Sequence, residues 1–445
     1  KDVDALLPYA TRGLPSEPQT GADFELTLDA GPLQERYGRD IAAARLFAGM
    51  ALREVALDSP RFDRALSDAI YGGVDEVIYL FSDLDRLRVE ARLDAARNLL
   101  MVSGELRLKG QSSWTSGTIA AMTPADLPAS LPRLPPGATS ATYSVALPAE
   151  RYVAAQRILG DLLEGFLEHE KLPEPTRKRA RRFVEGLLAK MPEAFGFSMS
   201  PPRPANDPEA YSQPDTNVTR FSEPAARLTA ALNDLGALIA DPAVKRWIKQ
   251  RTKIEDKAWP KFAKKPFKLA GFKSPATAYE IAIDLEAWAK VDKAWAQALK
   301  NALPAASAKG PTRYALVVQP EGNLTYLASG KDTQEIARVM LEHRKSEPGA
   351  VFARTSRQGK VIAAGFLTLA LVARRLETLA KVPELGTALA AAPQHGETPI
   401  PFSSTTGPGS ARFDIELPAA AFADVAVTAV RAGPALKDSF NERRP

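Results

Sequence analysis

Two rhythms of apolar and polar positions run along this chain. From Arg86 to Asp94, Leu87, Val89, Ala91 and Leu93 alternate with mostly charged residues. A period of two sends the apolar set to one face of a strand and the charged set to the other. The stretch therefore predicts a strand with one wet face. Leu99–Gly110 continues in the same style after the turn-like Asp94–Asn98, so a hairpin is expected. Arg313–Ser329 predicts a second hairpin, turning at Pro320–Asn323, and 350–366 a third, turning at Arg357–Gly359. Ser112–Met122 reads as a further strand.

Elsewhere the period is helical. Apolar residues recur every three or four positions in 34–57, in 60–81, and along Ile158, Leu159, Leu162, Leu163, Phe166 and Leu167. The same spacing marks 174–191, 223–239 and 333–345. Val361–Ala373 is the longest apolar run, with thirteen residues. A membrane-spanning helix needs about 20, so a buried helix, or a strand followed by a helix, is expected there.

Where the two rhythms meet, one pattern recurs. Tyr279–Trp288 has an aromatic, aliphatics two and four places on, then Asp284, and Trp288 nine places after the start. Phe24–Leu33, Tyr143–Tyr152 and Phe413–Phe422 repeat it, with Asp29, Pro148 and Pro418 at the corner. Asp caps a helix, and Pro is tolerated in its first turn. Each copy predicts strand, tight corner, helix. Two readings remain open: duplication of an α+β module, or ordinary strand–helix grammar met four times.

The expected fold class is α+β, with repeated strand–helix modules, antiparallel β-meanders and helices packed on one face. Residues 1–20 read as an N-terminal arm and 21–140 as a first module. Residues 141–273 read as an α-rich second module, carrying a Pro-rich loop at 200–217 and a basic segment at 245–273. Residues 274–445 read as a third module ending in the fourth strand–helix unit. The Pro-dense Thr123–Ser140 reads as a linker or long surface loop.

Composition narrows the chemistry. Among 445 residues there is no cysteine, which removes disulfides, thiolate metal sites and cysteine nucleophiles. His169, His343 and His395 lie far apart, and His169 and His343 read as solvated helix-end residues. No zinc-hydrolase pair, phosphate loop or serine elbow is present. Ser329–Thr333 is a Gly-Lys turn that either offers amides to an anion or caps a helix through Asp332 or Thr333. Asp75, Glu76, Asp83 and Asp85 read as a solvated acidic edge. No cofactor and no metal site is expected.

The net charge of +5 is mild for this length, but Lys245–Lys273 holds eleven Lys and Arg against Glu255 and Asp256. Aromatics are interleaved. Lys245, Lys249, Lys264, Lys265 and Lys268, with Trp247 and Trp259 as anchors, are the candidate binding residues for an anionic lipid surface or protein partner. The opposing reading is a half-buried aromatic stripe with outward lysine tips. A second basic cluster, Arg177–Arg182, lies on an expected helix.

The chain opens without Met and without a signal-peptide pattern, so a processed or trimmed chain is expected, exported if a signal peptide was removed. These features together predict a non-enzymatic binding or scaffold protein of the bacterial envelope, periplasmic or secreted, with a cytoplasmic location as the alternative. Its ligand would be apolar or anionic, or a partner protein. An enzyme with an unrecognised site, and a nucleic-acid binder using 245–273, are the competing readings.

Overall fold

The computed structural model describes residues 21–55, 59–128, 133–190, 192–200, 215–291, 311–347, 359–373 and 388–441. The predicted arm 1–20, most of the loop 200–217 and the turn at Arg357 lie outside them.

Among the described residues, one antiparallel sheet of thirteen strands organises the fold. In chain order the strands are β1 (Phe24–Asp29), β2 (Leu84–Asp94), β3 (Leu99–Leu108), β4 (Ala138–Ser144), β5 (Ala194–Met199), β6 (Thr216–Phe221), β7 (Lys261–Phe267), β8 (Ala276–Ile283), β9 (Thr312–Glu321), β10 (Leu324–Gly330), β11 (Ala363–Thr368), β12 (Pro399–Gly407) and β13 (Ser410–Pro418). Their order across the sheet is β1-β2-β3-β13-β12-β11-β4-β5-β6-β10-β9-β8-β7. Strands from all three expected modules share it, and β11–β13 of the last module lie between β3 and β4 of the first two.

The helices are α1 (Ala30–Val55), α2 (Pro60–Asp83), α3 (Trp114–Ala121), α4 (Glu150–His169), α5 (Glu174–Leu188), α6 (Ala226–Ala240), α7 (Pro242–Thr252), α8 (Leu285–Ala289), α9 (Thr333–Lys345) and α10 (Ala419–Asn441). No helix among the described residues is long and apolar enough to cross a membrane. The class is α+β with a large antiparallel sheet.

The corner read from Tyr279–Trp288 is present. Asp284 accepts from the Ala287 amide at 2.9 Å. It thereby satisfies one of the orphan donors at the start of α8. Trp288 then turns back into a core with Ile254, Ala258 and Ile283.

Helices cover both faces of the β6–β8 region, against the expectation of one face. Val317 and Val318 are neighbours in β9 and point oppositely. Val317 lies in the main core with Phe195, Phe197, Ile336, Val339 and Met340, the last three from α9. Val318 packs with Tyr279 and with Leu232 of α6. A strand buried on both sides carries a continuous apolar run, as Leu316–Val318 does. Burying each large α9 side chain contributes roughly 1.5–3 kcal/mol.

Two further expectations change. Ser112–Met122 forms α3 rather than a strand. The Ser113 hydroxyl accepts from the Ser116 amide at 2.9 Å, and the Glu76 carboxylate accepts from the Thr115 amide at 2.8 Å. The Pro-dense segment after α3 does not link separate bodies. Ala125 exchanges two 2.9 Å backbone hydrogen bonds with Val361, and Leu127 and Leu134 pack on the main core. Val361–Ala373 is a strand, β11, followed by a helical turn.

Candidate functional site: an uncovered apolar sheet face

The basic segment folds into α7, a short turn and β7, and most of its singled-out residues have partners inside the molecule. Lys245 and Lys249, one turn apart on α7, both pair with Asp256, at 2.6 and 2.8 Å. The two ammonium groups hold the Asp256 carboxyl down at about 2. Lys264 donates to the Asn233 side chain at 2.9 Å, and Lys265 pairs with Glu280 at 2.5 Å. Lys268 is exposed at the end of β7.

Trp247 and Trp259 are half-buried. The indole N–H of Trp247 donates to Glu170 at 2.8 Å and that of Trp259 to the Ile239 carbonyl at 2.9 Å. Trp247 also meets Phe166 edge-on, and Trp259 lies beside Trp288. These rings anchor α7 and the turn to the core. Lys264 and Lys265 point to opposite faces of β7, so the structure does not gather all seven residues on one surface.

The cluster Arg177–Arg182 on α5 is likewise consumed. Arg177 meets Glu168, Lys178 meets Glu174, Arg181 meets Asp161, Glu164 and Glu185, and Arg179 and Arg182 reach Asp234. The charge stitches α5 to α4 and α6.

His343 is buried, not solvated. It lies in the last turn of α9 with its ring 4.9 Å from that of Phe197 and 6.0 Å from that of Phe195. Burial pushes its imidazole down to about 4, and nearby Arg220 and Arg344 act in the same direction.

The acidic cluster is also structural. Asp83 is buried and accepts from the Ser113 amide at 2.8 Å and the Ser116 hydroxyl at 2.5 Å. Burial acts to raise its pKa, but these hydrogen bonds outweigh it and leave the carboxyl below its ordinary range. Asp332 caps α9, accepting from the Gln334 and Glu335 amides at 3.0 and 2.9 Å. That satisfies the amides with which the Gly-Lys turn would have met an anion. Among the described residues no cluster of three or more His, Asp or Glu could hold a metal. A recess of about 100 Å³ beside Gly110 and Ser116 is well below the few hundred Å³ of a small-molecule site.

What sequence reasoning missed lies at the other end of the sheet. The registers align Leu26, Val89, Gly104 and Phe413 across β1, β2, β3 and β13. Phe24, Ala91, Val102 and Ile415 form the next row, which Phe402 of β12 extends. Leu28, Leu87, Leu106 and Ala411 form a third, and Leu93, Leu100 and Leu417 a fourth. None of these side chains is fully buried. Phe24 and Leu26 are each 58% exposed, and Leu93 64%.

The opposite face of the same strands carries the charges. Arg88 pairs with Glu25 and Glu90, Arg86 with Asp29, Arg107 with Glu105, Arg97 with Glu416, and Arg412 with Asp414. The alternation in 86–94 was therefore a true sign of a two-sided strand. The wet face is as expected and its ion pairs are new, but the apolar face has no cover among the described residues.

Five strands about 4.8 Å apart, with four rows along them, give an open area of roughly 400 Å². An exposed apolar patch of that size on a monomer is often functional. Gly104 adds relief: a Cβ placed on it would meet nothing within 4 Å. A gap therefore lies in the first row, at Gly104 between Val89 and Phe413, and forms a trough there.

Comparison with family models, with curated proteins and with solved structures finds no match to this chain.

Proposed function

We propose that this chain is a binding and scaffold protein whose working surface is the apolar face of β1, β2, β3, β13 and β12. The observation that carries the reading is the set of four aligned apolar rows, open to solvent, backed by a face whose charges are paired. Such a surface presents no hydrogen-bonding side chain in its first three strands. It suits an apolar ligand: an acyl chain laid in the Gly104 trough, or the apolar face of a partner protein. The compartment is proposed from the sequence alone, periplasmic or secreted, and cell fractionation tests it.

Native mass spectrometry of the protein purified from its own host tests the binding role. A retained acyl-chain molecule supports it. A bare chain that also fails to take up a long-chain fatty acid would count against it.

The strand order supports a further reading, that the chain is built of four related units. β1, β4, β8 and β11 each lie beside the hairpin that follows them, β2–β3, β5–β6, β9–β10 and β12–β13. Phe24, Tyr143 and Tyr279 start or occupy three of these leading strands. Phe413 belongs instead to the second strand of the last hairpin, so its place in the sequence alignment would shift to β11. A high-resolution structure in which the four three-stranded units do not superpose would refute the duplication.

A second reading is favoured by one observation. β7 is the last strand of the sheet, and Lys264, Lys265 and Lys268 are exposed along it. This strand would meet an anionic surface or nucleic acid. Vesicle and oligonucleotide binding, titrated with salt, separates it from the apolar reading.

A further inference from the structure

One row of the sheet sets a permanent charge among core aromatics. Tyr143 of β4, Phe195 of β5, Arg220 of β6 and Tyr326 of β10 stand directly opposite one another in turn. Residues opposite across antiparallel strands share a face. Tyr143, Phe195 and Tyr326 belong to the main core beneath α9, so Arg220 projects on that side. Thr142, next to Tyr143, is level with Gly365 and Phe402 on the other side. The row therefore faces away from the open apolar surface, and its chemistry is separate from the ligand proposed there.

A guanidinium is not deprotonated in proteins. That of Arg220 lies 5.9 Å from the centre of the Phe195 ring. Its Nε is sealed from water and donates to nothing. No described residue forms an ion pair with it or accepts from its Nη atoms. The acids around it are turned elsewhere: Glu321 holds Arg344 at 2.5 Å, and Glu193 and Asp126 act on the Tyr143 hydroxyl. A half-buried charge without a counter-ion is costly to keep.

Tyr143 adds a second anomaly. It is 1% exposed, and a buried phenol ordinarily finds a partner. Its hydroxyl makes no hydrogen bond among the described residues, yet the oxygen is not closed off from solvent. Two donors on one face, two strands apart, thus have no acceptor. β4 and β6 are separated by about 10 Å, a gap that two long side chains can span around one small anion.

We propose that Arg220 and Tyr143 form an anion site for the carboxylate or phosphate group of a small ligand. The two Nη donors grip the oxyanion side by side, the geometry in which Arg binds such groups best, and the Tyr143 hydroxyl donates to it as well.

His343 is a reporter already in place, since its ring lies 6.0 Å from that of Phe195 and feels the Arg220 charge. The test is NMR of the histidine rings of the full chain at neutral pH. Inorganic phosphate and acetate are titrated separately, at constant ionic strength set with sodium chloride. His343→Gln assigns the signal. One of the two anions should move the His343 resonance saturably, and the tighter one names the group. Arg220→Met should abolish saturation. Tyr143→Phe, which keeps the ring, should weaken affinity about tenfold, as expected for losing a hydrogen bond to a charged group. No saturable shift with either anion, or undiminished affinity in either variant, overturns the proposal. Where Arg220→Met fails to fold, the unmodified protein and Tyr143→Phe carry the test.

Discussion

The imidazole Nδ1 of His343 lies 2.8 Å from the carbonyl oxygen of Arg133, 210 residues away in the chain. A carbonyl only accepts, so the ring carries its proton on Nδ1 and donates. This one bond ties the end of α9 to the Pro-dense segment that precedes β4.

Burial of that ring makes the fold sensitive to acid, and the Arg133 hydrogen bond offsets only part of the effect. The folded pKa of His343 is pushed down to about 4 by burial, against about 6.5 in an unfolded chain. Below 6.5 the unfolded state binds the proton that the folded state refuses, so stability falls as pH drops from about 6.5 to 4. The loss is on the order of 3 kcal/mol when complete. Urea melts at pH 7.5 and 4.5 should show it, and His343→Gln should flatten the difference. An unchanged difference in that variant would assign the acid sensitivity elsewhere.

Asp256 behaves differently. Its carboxyl is depressed to about 2 by Lys245 and Lys249, yet it is fully exposed. A depressed acid contributes stability above its unfolded pKa near 4 and loses it as pH falls toward 2. Solvent screening makes that contribution small. Asp256→Asn should leave the thermal midpoint at pH 7 nearly unchanged, and a large fall would show that the α7 ion pairs matter more than their exposure allows.

Helix packing is tight at Gly165 of α4. A Cβ there would meet the backbone nitrogen of Phe62 at 2.6 Å. Since backbone cannot swing aside, Gly165→Ala should force α2 and α4 apart and cost about 1–3 kcal/mol by overpacking. Gly104→Ala, whose Cβ meets nothing, is the matched control in the same denaturant titration.

Glu223 is the most deeply buried carboxylate of an ion pair among the described residues, with its side chain 1% exposed. It pairs with Arg227 and, at 3.5 Å, with Lys190. Removing its charge leaves Arg227 partly buried with a weaker partner, so Glu223→Gln should destabilise by about 3 kcal/mol. A double-mutant cycle with Arg227→Met checks it: coupling near zero would mean the two do not act as a pair.

Much of the architecture was legible in local pattern. The helix at 333–345, the hairpin at 313–329 and the corner at Asp284 all rest on short-range rules of capping, period and turn, which act within a few residues. α3 was misread because its start is held by Asp83 and Glu76, carboxylates some thirty to forty residues earlier. His343 was misread because a helix end looks the same from sequence whether water or three aromatic rings surround it. The lysines of 245–273 drew attention as a run of charge. Asp256, inside that run, and Asn233 and Glu280, outside it, supply their partners. The apolar face was half legible: alternation revealed two-sided strands, but which face lies uncovered depends on how far the helices reach along the sheet. That is a long-range property no window of residues contains.

The central claim, that the open face binds apolar molecules, is tested most directly at Gly104. Gly104→Asp removes no side chain and its Cβ would meet nothing within 4 Å, yet it sets a charge in the trough between Val89 and Phe413. The measurement is equilibrium titration of a fluorescent long-chain fatty acid into the unmodified protein and this variant, with thermal melts alongside. Saturable binding that weakens at least tenfold, about 1.4 kcal/mol, with an unchanged melt, is the predicted result. Equal affinity in both proteins, or no saturable binding by the unmodified chain, would contradict it.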